Sequence, residues 1–167
     1  MMTLSFAQVL MDSLLLTAVF TLVVMGSLYL NPRLWLQDYP AEMRAKVPPL
    51  TRREKLAQYV LTALFVLACG GALAYAGSRL LIANGGTVSL LTAYVHIALM
   101  LNFVNLFDAV VLDYLLLARL KPRFAILPGT EGLEYLFDDL GMHWRNYLKG
   151  VMICSVLALP IALIIAF

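Results

Sequence analysis

The sequence predicts an all-α membrane protein: four transmembrane helices in two hairpins, with an amphipathic interfacial helix in the second cytoplasmic loop. Three observations predict it. The 167 residues are 62% hydrophobic and only 13% charged, with a mean hydropathy of +0.87. An ordinary soluble domain is about 45–50% apolar and about 25% charged. The apolar residues gather in four runs, each near the ~20 residues that cross a ~30 Å hydrocarbon core. Lys and Arg fall between those runs or at their first residues, not in their interiors. Together these exclude a soluble globular protein, a disordered tail and a disulfide scaffold. They leave too little polar sequence for a soluble catalytic domain beside a single transmembrane domain covering residues 1–167.

The first run, about 9–30, is stopped by Asn31-Pro32, because proline lacks the donor and crowds the preceding turn. Residues 1–8 carry no positive charge and no small-x-small cleavage site follows, so the run reads as a retained span, not a signal peptide. Asp12 is expected near its outer end, at headgroup level. The second run, about 52–76, opens on the capping box Thr51-Arg52-Arg53-Glu54. Gly77-Ser78 is expected to end it, and Gly70-Gly71 with Ala63, Ala74 and Ala76 to allow a close helix approach. The third run, about 87–118, is longer than a perpendicular crossing needs and should tilt or project. The fourth is about 148–167.

Basic residues in short loops set orientation. Loop 31–51 with the start of the second span holds Arg33, Arg44, Lys46, Arg52, Arg53 and Lys55. Loop 119–147 with the start of the fourth holds Arg119, Lys121, Arg123, Arg145 and Lys149. Arg79 alone lies on the other side. Both basic loops are therefore expected in the cytoplasm and both termini outside. The halves share a plan, and Asn31-Pro32-Arg33-Leu34 echoes Lys121-Pro122-Arg123-Phe124, as a parallel repeat of two hairpins would.

Neither loop reads as a simple linker. Leu34, Trp35, Leu36 and Tyr39 suit the headgroup layer, and Pro40, Pro48 and Pro49 forbid a long helix before Thr51. In the second loop a tight turn, Leu127-Pro128-Gly129-Thr130-Glu131-Gly132, precedes residues 133–140. Their apolar positions 133, 136, 137 and 140 fall at i, i+3, i+4 and i+7, which predicts the interfacial helix. Its other face is acidic, so it suits docking on the chain's own basic loop as well as on lipid. His143, Trp144 and Arg145 would form a second anchor.

Polar residues inside the third span are the most informative feature. Side chains such as these are costly at membrane depth and by default face protein or a water-filled cavity. At about 100° per residue, Asn102, Asn105, Asp108 and Asp113 share a sector of about 140°. Asp113 lies close to the basic loops, where Arg119, Arg123 or Arg145 could pair with it. Asp108 has no Lys or Arg inside a span to meet it. The two aspartates diverge by about 140° on a regular helix, so they would not share one ion unaided. Thr17 and Thr21 in the first span could donate hydrogen bonds to this stripe. The plain alternative is that the stripe fixes helix packing, at about 0.6 kcal/mol per hydrogen bond.

His96 and His143 lie near opposite membrane faces and cannot hold one haem between them. A haem or pigment on His96 alone is the remaining cofactor option. Cys69 and Cys154 are far apart and form no C-x-x-C pair, and the residue types supply no four-ligand zinc site without carboxylates. Phosphate-loop, dinucleotide, Gly-x-Ser-x-Gly and zinc-protease motifs are absent from the sequence. The basic loops are too short for nucleic acid.

The stretch 31–49, the region between Asp108 and Asp113, and Leu127-Pro128-Gly129-Thr130-Glu131-Gly132 resemble an uncharacterised family of small bacterial four-span integral membrane proteins. The similarity covers most of the chain. It implies a class, a multi-pass protein of the bacterial inner (cytoplasmic) membrane, and no catalytic residue.

Three functions are compatible with these residues. The first is an accessory or assembly subunit of a larger membrane complex, acting through helix packing with other subunits or as a homodimer. The second is a small proton- or cation-coupled transporter using Asp108. The third is a lipid-modifying enzyme using Glu131, Asp138, Asp139 or His143 at the interface. The lack of catalytic motifs argues against the third.

Overall fold

The computed structural model describes residues 4–167. These form helices and connecting turns, with no strand among the described residues. The long helices are α1 (Phe6–Leu30), α3 (Arg52–Ala83), α4 (Leu90–Phe107) and α5 (Leu140–Ala166); a short α2 (Ala41–Lys46) lies in the first loop. Beyond Phe107, α4 continues without a break as a π-helix, Asp108–Leu120. Four continuous helical segments are thus long and apolar enough to cross a membrane, which makes the chain a multi-pass membrane protein.

Local chemistry sets the ends. Ser5 caps α1, its hydroxyl accepting from the Gln8 amide, and the chain leaves the helix at Asn31, whose side chain accepts from the Arg33 amide at 3.0 Å. The expected capping box forms at α3: Thr51 Oγ1 accepts from the Glu54 amide at 3.2 Å, and Glu54 Oε2 accepts from the Thr51 amide at 2.8 Å. Such caps satisfy amides that have no partner inside the helix. Ser89 and Asp139 cap α4 and α5 in the same way.

Three boundaries differ from expectation. Gly77-Ser78 does not end the second span. The helix continues to Ala83, because Gly77 is buried against Ile165 of α5 and the chain turns only at Gly85 and Gly86, both with positive φ. Within α3 the tightest approach is therefore at Gly77, where a Cβ would come within 2.9 Å of Ile165; Gly70 and Gly71 face open space. The fourth span begins at Leu140, earlier than 148, because Asp139 accepts from the Met142 amide at 3.0 Å and starts the helix there. The amphipathic helix expected over 133–140 is instead a five-residue 3-10 segment, Glu134–Asp138, that buries Phe137.

The helices meet in three layers. The central core joins Leu16 of α1, Ala72 and Ala76 of α3, Ile97, Met100 and Val104 of α4, and Ala158 of α5. Small residues on α3 and α5 let larger ones on α1 and α4 interdigitate, the packing that drives association where lipid supplies no hydrophobic force. A second layer, Leu80, Val88, Ala93 and Ala162, closes the end that carries Asp12. The third lies at the loop end, where Tyr39, Met43 and Val47 of the first loop pack on Ala118, Leu127 and Phe137. Met43 and Leu127 are fully buried there, and each such burial is worth about 1.5–3 kcal/mol where the alternative is water.

The two loops are fastened to each other and to the helices. Tyr39 Oη donates to Ala125 O at 2.6 Å, Lys121 pairs with Asp138 at 2.8 Å, and Trp35 Nε1 donates to Ser27 Oγ at 2.9 Å. Arg33 pairs with Glu54, and Gln58 donates to Leu34 O. Burial among these groups pushes the Tyr39 hydroxyl well above its usual value, with the Asp38 charge adding to it. The second loop thus docks on the chain's own first loop, through apolar packing and the Tyr39 hydroxyl.

Candidate functional site

The stripe residues of the third span have separate fates. Asn102 Nδ2 donates to Ala98 O one turn back at 2.8 Å, while its buried Oδ1 finds no partner. Asn105 reaches α5, donating to Tyr147 O at 3.2 Å. Asn105 therefore serves the helix pair, whereas Asn102 bonds within its own helix. The threonines do not reach the stripe. Thr17 bonds to Ser13 O in its own helix, and the buried Thr21 hydroxyl has no partner. A helical threonine has the carbonyl four residues back within easy reach, and this local bond wins.

Asp108 begins the π-helix. Its backbone bonds run i→i+5, as the Lys121 amide shows by donating to Leu116 O at 2.8 Å. The wider turn overturns the angular argument from the sequence: residues five apart, such as Asp108 and Asp113, become neighbours along one face rather than diverging. Turns of this kind recur at functional sites. The Asp108 carboxyl has no hydrogen bond or ion pair among the described residues.

Asp113 does not pair with Arg119, Arg123 or Arg145. It faces His143 at the start of α5, with Oδ2 3.6 Å from Nδ1. Arg119 lies over the Tyr114 ring and bonds to its hydroxyl, and Arg145 pairs with Asp139 at 3.7 Å. His143 is 7% exposed, and its Nε2 stands 2.7 Å from Phe137 O. A carbonyl oxygen only accepts, so Nε2 carries the proton. In a neutral ring Nδ1 would then present a lone pair to the Asp113 carboxylate. At 3.6 Å the two groups stand within ion-pair range without a hydrogen bond between them. Nδ1 has no other partner.

Asp38, from the first loop, joins this group. Partial burial pushes its carboxyl above the usual range; Gln37, donating to it at 3.1 Å, lowers it, and the charge of Asp113 raises it further. The loop end of the third span thus gathers Asp38, Asp108, Asp113 and His143 from three separate elements. Glu131, Trp144 and Arg145 stay apart from it. Both Glu131 oxygens accept from the Gly129 amide, at 3.1 and 3.2 Å. Backbone hydrogen bonds, from its own amide and that of Gly129, hold the exposed Glu131 carboxyl below the usual range. The exposed Trp144 stacks on Tyr147 at 5.5 Å. Among the described residues no three His, Cys, Asp or Glu side chains are placed to hold a metal ion.

A second ionisable group was not visible in the sequence. Asp12 is fully buried within the protein, with Oδ1 2.6 Å from Arg79 Nη1 and Oδ2 3.2 Å from His96 Nε2. Arg79 reaches it because α3 runs two turns past the expected stop. His96, also fully buried, has Nε2 on Asp12 and Nδ1 without a partner. The signal in the sequence was Arg79 itself, the single Lys or Arg between Lys55 and Arg119.

Comparison with protein-family models, with curated proteins and with solved structures finds no match.

Proposed function

We propose that this chain is a small proton- or cation-coupled carrier of the bacterial inner membrane, with Asp108, Asp113, His143 and Asp38 as its proton-exchanging group. The observation that carries the reading is the Asp113–His143 contact. The contact brings a carboxylate and an imidazole, two side chains able to exchange a proton, within 3.6 Å of each other, and a second carboxylate, Asp108, whose side chain has no partner, lies on the same π-helical face. Ionisable residues so placed within a span are a signature of ion and proton pathways. In this reading the basic loops face the cytoplasm and both termini lie outside, so the group meets the cytoplasmic side. Lipid surrounds the helices, and a second copy of the chain completes a pathway that four helices are too few to enclose.

The test is flux. Protein reconstituted in vesicles with an internal pH-sensitive dye is given a pH gradient, then a gradient of K⁺ or Na⁺. The expected result is protein-dependent dissipation that falls at least about tenfold in Asp108→Asn, a loss of about 1.4 kcal/mol or more in the limiting barrier, with helicity and particle size retained. Flux equal to that of empty vesicles, or unchanged in Asp108→Asn, overturns the proposal.

A second reading, an accessory or assembly subunit of a larger membrane complex, is favoured by Asn102, Asn105 and Thr17, which spend their hydrogen bonds inside the bundle. A stoichiometric larger partner recovered with the protein in mild detergent would select it.

A further inference from the structure

At the Asp12 end, away from the group just described, a cleft of about 380 Å³ opens between the first two turns of α1 and the last turns of α3. Ala7, Gln8 and Met11 form one wall, and Arg79, Ile82 and Ala83 the other. We propose that this cleft binds the phosphate of a phospholipid headgroup, with the acyl chains running down the outer faces of α1 and α3.

Arg79 supplies the charge. A guanidinium carries five donors in a rigid fork, and Asp12 engages Nη1 alone. Nε and Nη2 have no acceptor among the described residues, and the side chain is 39% exposed on the cleft side. The Tyr75 ring lies 5.8 Å from the guanidinium carbon and limits its swing. Arginine held in this way matches phosphate oxygens bidentately.

Gln8 is the independent second feature. It lines the cleft, and its Nε2 has no acceptor, although the atom is shielded from solvent. An amide left unpaired at such a site is not locked by the protein. In this structure the NH₂ group is turned inward; a rotation about its last, soft torsion on binding would bring it to a ligand in the cleft. The third contribution is the start of α1. Its first amides have no partner within the helix, and the helix dipole places partial positive charge there. A donor fork, a free amide and a helix start therefore converge on one acceptor-rich, anionic group.

The walls decide between a soluble anion and a lipid. Met11 and Ile82 are 59% and 79% exposed, beside further outward apolar surface on both helices. A free phosphate would leave that surface unused; a lipid covers it with its chains while its phosphate stays level with Arg79. Two recognition elements on one ligand give the lipid the higher effective affinity.

The experiment uses the full chain, delipidated in mild detergent and titrated with phosphatidylglycerol, with bound lipids counted by native mass spectrometry. One tightly held lipid is expected, with its dissociation constant raised about tenfold in Gln8→Leu, the loss of one charge-assisted hydrogen bond, and further in Arg79→Ala. Arg79→Ala removes the guanidinium partner of buried Asp12 and destabilises the fold, so Gln8→Leu, which touches no ion pair, carries the test. Ser78→Ala, one residue from Arg79 and outside the cleft, should bind as the parent does. Equal retention in Gln8→Leu, or equal loss in Ser78→Ala, overturns the site. Displacement of the lipid by millimolar inorganic phosphate overturns the lipid assignment in favour of a soluble anion.

Discussion

Gly150 of α5 lies directly against the carboxamide of Asn105: a Cβ built on Gly150 would overlap Asn105 Oδ1, so the amide occupies the space the glycine leaves. The same amide donates to Tyr147 O at 3.2 Å. Glycine here is a steric complement to a polar side chain on the facing helix. Gly150→Ala should destabilise the folded protein by about 1–3 kcal/mol through overpacking. Asn105→Ala added to it should restore most of that loss. Thermal unfolding of the single and double variants in detergent checks this, and strict additivity would refute the pairing.

Breaking the Asp12–Arg79 contact should cost more than a surface ion pair, because Asp12 has no solvent exposure at all. Loss of one partner from a buried pair typically costs about 3–5 kcal/mol. Arg79 is itself 39% exposed, so a value nearer ~2 kcal/mol is expected for Arg79→Ala. Asp12→Asn, which keeps the shape and removes the buried charge, should cost less. The order of the two unfolding midpoints decides the matter.

Asp38 gives the loop end a pH dependence of definite sign. Its carboxyl is raised above its ordinary value, first by burial, against the opposing Gln37 hydrogen bond, with Asp113 adding to the rise. At pH below the ordinary value, folded and unfolded chains are both protonated there. As pH climbs through that value towards the folded one, the unfolded chain releases its proton first, so stability falls with rising pH. Asp38→Asn should flatten that part of the profile. A slope left unchanged by the substitution would assign it to other groups.

Lys121, which ends the π-helix, adopts φ 46° and ψ 54°, the left-handed region that glycine enters freely and lysine only at a cost. Lys121→Gly should relieve about 1 kcal/mol of backbone strain, set against the Lys121–Asp138 contact, an exposed pair worth about 0–1 kcal/mol. Net stabilisation of a few tenths to about 1 kcal/mol is expected in denaturant titrations. Lys121→Ala should lose the ion pair without relieving the strain and be the least stable of the three.

Much of the architecture was legible without coordinates, for a physical reason. Crossing a membrane demands ~20 apolar residues per span and internally satisfied backbones, so the four runs, the stop at Asn31-Pro32 and the Thr51–Glu54 box each follow from a local requirement. Boundaries that depended on a neighbour were not legible. Gly77 resembles a helix end until Ile165 is seen against it, and the oily face at 133–140 became a 3-10 segment because Phe137 had the first loop to pack on.

The candidate site divides along the same line. That Asn102, Asn105, Asp108 and Asp113 lie within the third span was determined by the sequence, since their positions in an apolar run suffice for it. Only the tertiary structure decided their partners. Asn105 meets Gly150 and Tyr147, Asp113 meets His143 rather than an arginine, and Asp12 meets Arg79 and His96 across three helices. A regular 3.6-residue period was assumed along the span, and the π-helix from Asp108 breaks it. Hydropathy reports the cost of moving each residue out of water. It carries no information on which polar groups meet once there, because that depends on helix rotation and register, set by side-chain packing between segments far apart in the chain.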